Sequence, residues 1–470
     1  MRTVLCLDQY GDIDANTGAQ AMVLKVDMSP FVNAEAKKFQ LFKLAPQDLP
    51  SWRTPNGVVE RGRRVKAELD KHPGVRTVLA QLWAVPPGQL SPIFIKLSRG
   101  DAELLTWETL CNEQDKFVAL DRRWPIGRIS VPRSGYGRPP AAFREPIRMM
   151  VVISALGIHQ QVKEWTLIHA EAENASALGL NIRLRVLCAD PQTRTAVDQT
   201  IANGANWIEV APIGTTPQRI LQDIGKWSPN ILHFFCHGVS SDDEQFIELA
   251  TASDYLDNQA TAGSVRIPTE QLVDLSGQLT NPWLLTLNCC SGGQAAGELQ
   301  SIAHQVVAAG FPAAIAMLEP VNASDAHEFT RAFYSSLFTK LDNVRQRLNE
   351  KAVRVSFEWA EPLFDARTAI SDLHAAGPKS SPEWAVPVLY VSGIEPMHFE
   401  RPPNLGGAAA LPVSEVSAGD FKLRARLVAE WLALIKETMT ASQREAVMKE
   451  VLSNVPKNYW PTVDGTFPHA

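Results

Sequence analysis

The chain has 470 residues, of which 45% are hydrophobic and 20% charged, and its formal net charge is −6. These values are typical of a globular protein of two or three domains, or of one large α/β unit with appendages. The acidic balance argues against a dedicated nucleic-acid-binding protein, because no overall positive charge is available to neutralise phosphates.

Cysteine usage and apolar patterning favour a cytoplasmic protein. The cysteines are thinly spread and show no framework spacing, which is typical of a reducing compartment. They are Cys6, Cys111, Cys188, Cys236, Cys289 and Cys290. The first residues lack the pattern of a signal peptide. The most apolar later segment, 306–318, is interrupted by Gly310 and Pro312 and is too short to cross a bilayer. We therefore expect no membrane span and no membrane partner.

Residues 1–55 are predicted to form a small strand-rich N-terminal segment. The runs "TVLCL", "AMVLKV" and "FQLFKL" are β-like and are separated by polar, Gly- or Pro-containing stretches. A second segment, 56–146, is predicted to begin with a helix over 57–71. The runs "TVLAQLWAV" and "PIFIKLS" that follow are predicted to be strands.

Residues 147–396 are predicted to be the α/β core. Apolar runs such as "IRMMVVISAL", "NIRLRVLCA", "NILHFFCH" and "WLLTLNCC" alternate with helical segments such as "VKEWTLIHAEAENASAL". Thr216 is a candidate N-cap with Pro217 at the first helical position. A helix after "WLLTLNCC" is expected to end at Gly310. This alternation predicts a mostly parallel sheet that helices cover on both faces.

A linker is predicted over 400–419, followed by a helical C-terminal tail over 420–470. Two amphipathic helices are expected in the tail, the first marked by Leu423 and Trp431 and the second by Met448 and Val451. Ser442 and Glu445 match a capping box before the second helix. The pair either packs on the main body or offers a groove to a partner protein, and the pattern leaves both alternatives open.

The ends of two predicted strands carry residue types that can act in catalysis. Sites in parallel sheets form beyond the carboxyl ends of the strands, and the predicted strands end at His237 and Cys290. Glycines follow each of them, and glycine permits close approach of a substrate backbone. An imidazole is the base that a cysteine nucleophile needs, and the amino end of a following helix favours a thiolate. The pattern is therefore suited to acyl transfer from Cys290 with His237 as the base.

Three other interpretations compete with this one. Taken singly, a buried cysteine or a histidine next to glycine is usually structural. His233, Cys236, His237, Cys289 and Cys290 offer enough ligands for zinc, although the alternation of side chains along a strand argues against their convergence on one ion. A nucleotide-binding protein is disfavoured because no P-loop or GxGxxG pattern follows a strand.

The motifs around both residues resemble those of a known family. "FFCHG" at 234–238 and "NCCSGG" at 288–293 resemble the two motifs of a CHAT domain, the bacterial branch of the caspase-like cysteine peptidases, which are related to separases and metacaspases. The separation of about 50 residues is the caspase arrangement. "LLTWETL" at 104–110, "WPIGRIS" at 124–130 and "EWAVPVLYV" at 383–391 resemble other segments of the family. Thr106 and Ser291 depart from its usual residues.

The resemblance implies a caspase-like fold, in which residues 56–146 precede the catalytic core, and a cysteine endopeptidase that acts on a protein substrate. His237 takes the general-base position and Cys290 the nucleophile position, and the backbone amides of Gly238 and Cys290 take the oxyanion position. Cys289 takes the place of a small core residue. No metal or organic cofactor is required. Candidate specificity residues, chosen for their charge and position after strands, are Asp190, Asp242 and Asp243.

The resemblance also implies a role in regulated bacterial defence or cell death, for example the activation of a pore-forming partner. An activating partner is expected to dock on the C-terminal helices. The alternative is a catalytically silent, caspase-like scaffold that only binds.

Overall fold

The structure is a computed structural model that describes most of the chain in two compact units, Met1–Pro402 and Pro403–Ala470. The residues outside the described part are 14–19, 32–33, 55, 98–100, 131–140, 159, 242–243, 258–259, 290–295, 320, 351, 402–439 and 452–470.

The strands of the first unit are named in chain order. They are β1 (Thr3–Ile13), β2 (Gln20–Met28), β3 (Gln40–Phe42), β4 (Ile93–Leu97), β5 (Ile126–Ser130), β6 (Ala141–Ala142), β7 (Ile147–Ser154), β8 (Ile182–Cys188), β9 (Ile208–Ala211), β10 (Ile231–Ser241), β11 (Glu244–Leu249), β12 (Val265–Pro268), β13 (Leu284–Cys289), β14 (Ala313–Met317), β15 (Arg354–Phe357), β16 (Pro387–Val391) and β17 (Met397–Glu400).

The α-helices are named in the same way. They are α1 (Gly57–Leu69), α2 (Pro73–Trp83), α3 (Gln161–Leu178), α4 (Pro191–Ala202), α5 (Pro217–Trp227), α6 (Ala252–Leu256), α7 (Thr269–Ser276), α8 (Ala296–Ala309), α9 (Ala323–Asn349), α10 (Ala360–Leu373) and, in the second unit, α11 (Ala441–Val451).

One mixed sheet organises the first unit. Within the described residues it has 14 strands, ordered β3-β2-β1-β4-β5-β16-β14-β13-β10-β7-β8-β9, with β11 and β12 attached through β10. Neighbours are parallel from β1 to β16 and again from β14 to β9, and the two parallel blocks meet at the antiparallel pair β14–β16. A second sheet, β15-β17-β6, has three strands. The predicted mostly parallel α/β sheet is confirmed.

The chain order of the second block creates a switch point between β7 and β10. From β7 the chain adds β8 and β9 on one side, and it then adds β10, β13 and β14 on the other side. Connections leave β7 and β10 in opposite directions, so a crevice opens at their carboxyl ends, where open α/β sheets bind ligands.

Helices cover both faces of this block, as predicted. Residues 231–237 of β10 are all buried, although their side chains alternate between the two faces. The face that carries His233 packs against α3 and α9, and α8 packs against β10, β13 and β14. The near-continuous apolar sequence of these strands follows from burial on both sides.

The strands predicted in residues 1–55 extend the main sheet. β1 pairs in parallel with β4 and antiparallel with β2, and β3 forms the edge. The helix predicted over 57–71 is α1.

The prediction of a strand at "TVLAQLWAV" was wrong, because this run lies in α2. His72 caps α2 by accepting hydrogen bonds from the amides of Gly74 and Val75, and Pro73 occupies the first turn. The buried residues Val75, Val78, Leu79 and Leu82 follow a helical period of three and four. The apolar run was long enough to resemble a strand, but its period and its cap specify a helix.

The second unit contributes α11. Thr440 and Gln443 form its capping box: the Thr440 amide donates to the Gln443 side chain, and the Gln443 amide donates to the Thr440 hydroxyl. The predicted box of Ser442 and Glu445 was therefore wrong, since both lie inside the helix, two residues further along. The first predicted tail helix lies outside the described residues, as does the predicted linker except for its first two residues. Among the helices that the structure describes, none has the length and apolar character needed to cross a membrane.

Candidate active site

The two candidate strands are direct neighbours in the sheet. β10 and β13 pair in parallel from Ile231 with Leu284 to Cys236 with Cys289. In the sequence, His237 and Cys290 each follow this last pair. Cys290 itself lies outside the described residues, as do Ser291, Gly292 and Gly293.

The sequence predicted that β10 would end at His237, and this was wrong. β10 continues to Ser241, and from His237 onward it pairs antiparallel with β11. The parallel pairing stops at Cys236, because the strand leaves the main sheet there and forms a ribbon with β11 and β12. His237 thus marks the carboxyl edge of the parallel block without ending the strand. Gly238 pairs in register with Ile247, and its predicted oxyanion role stays a prediction.

One backbone contact orients the His237 ring. Its Nε2 lies 2.7 Å from the carbonyl oxygen of Leu156, in the loop after β7. A carbonyl oxygen only accepts hydrogen bonds, so Nε2 carries the proton and Nδ1 is the basic nitrogen of the neutral ring. The contact joins the ends of β7 and β10, which are the two strands that flank the switch point.

A buried polar cluster lies below this edge, between the sheet, α3 and α9. His233 is fully buried, with Nδ1 2.9 Å from the Tyr334 hydroxyl and Nε2 2.9 Å from Glu164 Oε1. The Asn288 amide nitrogen donates to Glu164 Oε1 at 3.1 Å and to the Thr330 hydroxyl at 2.9 Å. The cluster thus anchors β10 through His233 and β13 through Asn288, which lies two residues before Cys290 in the sequence.

The environments of three neighbouring histidines differ. His233 is held by Tyr334 and lies against Glu164 in the core. His327 stacks on Phe235 with ring centroids 5.9 Å apart, and burial lowers its pKa, so it is neutral near pH 7. His237 alone among these three lies at the carboxyl edge, with its ring fixed by a backbone carbonyl. The geometry therefore favours His237 as the base.

Three of the other cysteines lie in environments that suppress thiolate formation. Burial raises the pKa of Cys6 and of Cys188 to about 12 and that of Cys111 to about 11. Cys236 is buried as well. Since the thiolate is the nucleophile, none of these buried residues is suited to attack a substrate.

Asp190 has a structural role that the sequence did not reveal. It is the N-cap of α4, and its Oδ2 accepts hydrogen bonds from the Thr193 amide at 2.8 Å and the Thr193 hydroxyl at 2.6 Å. Its predicted contribution to specificity stays a prediction. Asp242 and Asp243 lie outside the described residues.

Within the described residues, neither a metal cluster nor the cavity of about 600 Å³ lies at this edge. No group of three or more His, Cys, Asp or Glu residues in the described part of the chain is arranged to hold a metal ion. A cavity of about 600 Å³ is lined by Pro282 and Pro312, which precede β13 and β14, so it lies at the opposite edge of the sheet.

The comparisons with known proteins agree with the sequence motifs. The CHAT domain family matches residues 103–354, which is more than half of the chain. The chain belongs to the CHAT domain family. The matched residues of this CHAT protein include both strands of the candidate site, Leu156 and the buried cluster. No curated protein matches the chain.

Two solved structures are similar to this CHAT protein. They are crystal structures of the Saccharomyces cerevisiae separase–securin complex at 2.6 and 3.0 Å resolution, each with a TM-score of 0.32 and with 12% and 13% sequence identity. Each match covers 70% of this chain and 17% of the matched chain.

Sequence reasoning missed several residues around the site of this CHAT protein. Leu156 acts through its backbone, which leaves no trace in residue type. Glu164 and Gln161 left a signal, because both fall, as Glu171 does, on the buried stripe of α3 that carries Trp165 and Ile168. Polar residues at core positions of a helix usually have partners in the core.

Proposed function

We propose that this CHAT protein is a cysteine endopeptidase in which Cys290 is the nucleophile and His237 is the general base. The observation that carries the proposal is the 2.7 Å contact between His237 Nε2 and the Leu156 carbonyl at the switch point. This contact leaves the basic nitrogen, Nδ1, on a ring whose strand is in register with the strand that leads to Cys290.

The proposed reaction follows from these roles. Nδ1 of His237 accepts the Cys290 thiol proton, and the thiolate attacks the scissile carbonyl to form a tetrahedral intermediate. Collapse of the intermediate breaks the peptide bond, and the imidazolium donates its proton to the leaving amine. A water molecule, deprotonated by His237, then hydrolyses the thioester and releases the second product.

Backbone amides are the proposed stabilisers of the oxyanion. The family resemblance assigns this role to the amides of Gly238 and Cys290. α8 begins at Ala296, soon after Cys290, and the amino end of a helix favours negative charge nearby. The proposed chemistry requires no metal and no organic cofactor.

The biological setting is proposed from kinship. The resemblance to CHAT-domain peptidases suggests a regulated protease of bacterial defence or cell death. We therefore propose that the protein acts in the cytoplasm and cleaves one or a few proteins, such as a pore-forming partner. We expect a low basal rate that rises when an activating protein docks on the C-terminal helices. Equal rates with and without every candidate partner would contradict this regulation.

The direct test is cleavage of a proteome-derived peptide library, with new N-termini read by mass spectrometry. Wild type, Cys290→Ala, His237→Ala and the neighbouring control Cys289→Ala are compared, with and without chelator and with proteins from neighbouring genes. We expect cleavage to vanish in Cys290→Ala, to fall by about a hundredfold or more in His237→Ala, and to survive in Cys289→Ala and in chelator.

The alternatives give other results. Cleavage that stops with chelator would indicate an ion-dependent enzyme. Cleavage that persists in Cys290→Ala would contradict the proposed nucleophile, and the absence of dyad-dependent cleavage under every condition would favour the binding scaffold.

A further inference from the structure

The loop that carries the Leu156 carbonyl is a tight turn. Residues 155–158 are closed by a hydrogen bond from the Ile158 amide to the Ala155 carbonyl at 3.1 Å. Leu156 is the second residue of this turn, so its carbonyl belongs to the central peptide. The direction of that peptide decides whether the carbonyl faces His237.

Gly157 sets the direction of the central peptide. Its φ is +83°, close to the value of about +80° at the third position of a type II turn. In a type I turn, which residues other than glycine prefer, the central peptide is rotated by roughly half a turn about the chain. A type I turn at residues 155–158 would therefore direct the Leu156 carbonyl away from His237.

The side chain of Gln161 holds the same turn from the first turn of α3. Its Oε1 accepts a hydrogen bond from the Ala155 amide at 3.1 Å, and its Nε2 donates to the Ala155 carbonyl at 3.0 Å and to the Ile158 carbonyl at 3.3 Å. The carboxamide thus binds the backbone on both sides of Leu156. Gln161 is only 3% exposed, so water does not compete for these bonds.

Tyr255 holds the Gln161 side chain through hydrogen bonds to its carboxamide. Its hydroxyl, on α6, lies 2.9 Å from Gln161 Nε2 and 3.0 Å from Oε1. Burial raises the pKa of Tyr255 to about 12, so the phenol stays protonated at neutral pH and remains a donor. The carboxamide therefore has a defined orientation as well as a defined position.

We propose that Gln161 is a positioning residue that, through the Gly157 turn, holds the Leu156 carbonyl against His237 and so assigns the ring proton to Nε2. The proposal deepens the proposed function and rests on it for its catalytic consequence. The positioning itself is measurable without any substrate.

The first measurement is the exchange of the His237 Nε2 proton with water, by NMR of the full chain with ¹⁵N-labelled histidine. The signal is assigned with His237→Gln, at a pH at which the ring is neutral. Gly157→Ala and Gln161→Met are each expected to raise the exchange rate about tenfold, because the hydrogen bond to Leu156 is weakened.

Two matched variants separate positioning from general destabilisation. A Cβ at Gly157 meets no atom within 4 Å, and the same is true at Gly88. The φ of Gly88 is +89°, and its turn is closed by a hydrogen bond from the Gln89 amide to the Pro86 carbonyl. Gly88→Ala carries the same backbone strain away from the site and is expected to leave the exchange rate of the His237 proton unchanged. Gly157→Asn is expected to restore most of the wild-type rate, because asparagine tolerates positive φ.

The second measurement is the alkylation rate of Cys290, mapped by mass spectrometry. We expect it to fall between tenfold and a hundredfold in Gly157→Ala and Gln161→Met. An unchanged exchange rate of the His237 proton in both variants would overturn the positioning proposal, and Gly157→Ala decides alone if Gln161→Met does not fold. Faster exchange with unchanged alkylation would support the positioning role and contradict the dyad.

Discussion

At the scale of single residues, the sequence indicated the candidate side chains of the proposed site but not the backbone group that contacts one of them. His237 and Cys290 were recognisable because their residue types follow apolar runs and precede glycine. The Leu156 carbonyl is common to every residue, so only the fold identifies it. The same holds for the distinction between His237 and the buried His233, which depends on the contacts of His233 with Tyr334 and Glu164.

The first prediction concerns thiol reactivity. Burial raises the pKa of Cys6 and of Cys188 to about 12, so both thiols are almost entirely protonated at pH 8. We expect iodoacetamide at pH 8 to modify Cys290 at least a hundredfold faster than Cys6, Cys111 or Cys188, and peptide mapping with a Cys289→Ala variant locates the label. Comparable labelling of any of the three buried thiols in the folded protein would contradict the environments described for them.

At the scale of secondary structure, local signals predicted elements where periodicity and caps agree. α5 has the predicted Thr216 cap, whose hydroxyl accepts from the Arg219 amide, with Pro217 in the first turn. The wrong prediction of a strand at α2 arose because valine and leucine, which are also common in strands, form the short buried face of this helix. The extension of β10 beyond His237 was not predictable, because its partner strand β11 follows only after a turn and the ribbon depends on that pairing.

The second prediction separates the two roles of Asp190 at the start of α4. Asp190→Ala removes the N-cap and is expected to lower the free energy of unfolding by about 1 kcal/mol, whereas Asp190→Ser retains a capping oxygen and costs a few tenths. Urea unfolding gives both values. The specificity role that the sequence predicts requires Asp190→Ser to change the cleavage preference as well; an unchanged preference would leave Asp190 with the capping role alone.

At the scale of the whole molecule, a buried ionic network lies beside the junction between the two parallel blocks. The guanidinium of Arg128, a fully buried residue in the middle of β5, donates to both carboxylate oxygens of Glu108 at 3.1 and 2.8 Å. Arg367 lies 3.8 Å from Glu108, and burial lowers its pKa to about 10. This network connects "LLTWETL" to β5 and α10. The network explains why these three segments, which are distant in the sequence, lie next to one another in the fold. No local sequence pattern indicated this contact.

The third prediction tests this network. Glu108→Gln leaves two buried guanidinium groups without their carboxylate and is expected to lower the free energy of unfolding by about 3–5 kcal/mol. Tryptophan fluorescence during urea unfolding measures the change. Asp198→Asn, which breaks the exposed pair between Asp198 and Arg194, is the control and is expected to cost less than about 0.5 kcal/mol. Similar costs for the two variants would show that the buried network does not stabilise the fold more than an exposed ion pair does.

The central claim is that His237 activates Cys290, and the rate of Cys290 alkylation tests it most directly because no substrate needs to be known. The rate is measured between pH 5 and 9 in wild type, His237→Ala and the control His327→Gln, which changes the neighbouring buried histidine. We predict that His237→Ala slows alkylation near pH 7 by tenfold or more, since a neighbouring imidazole favours the thiolate, and that His327→Gln retains the wild-type profile. Equal rates and equal pH profiles in wild type and His237→Ala would contradict the claim.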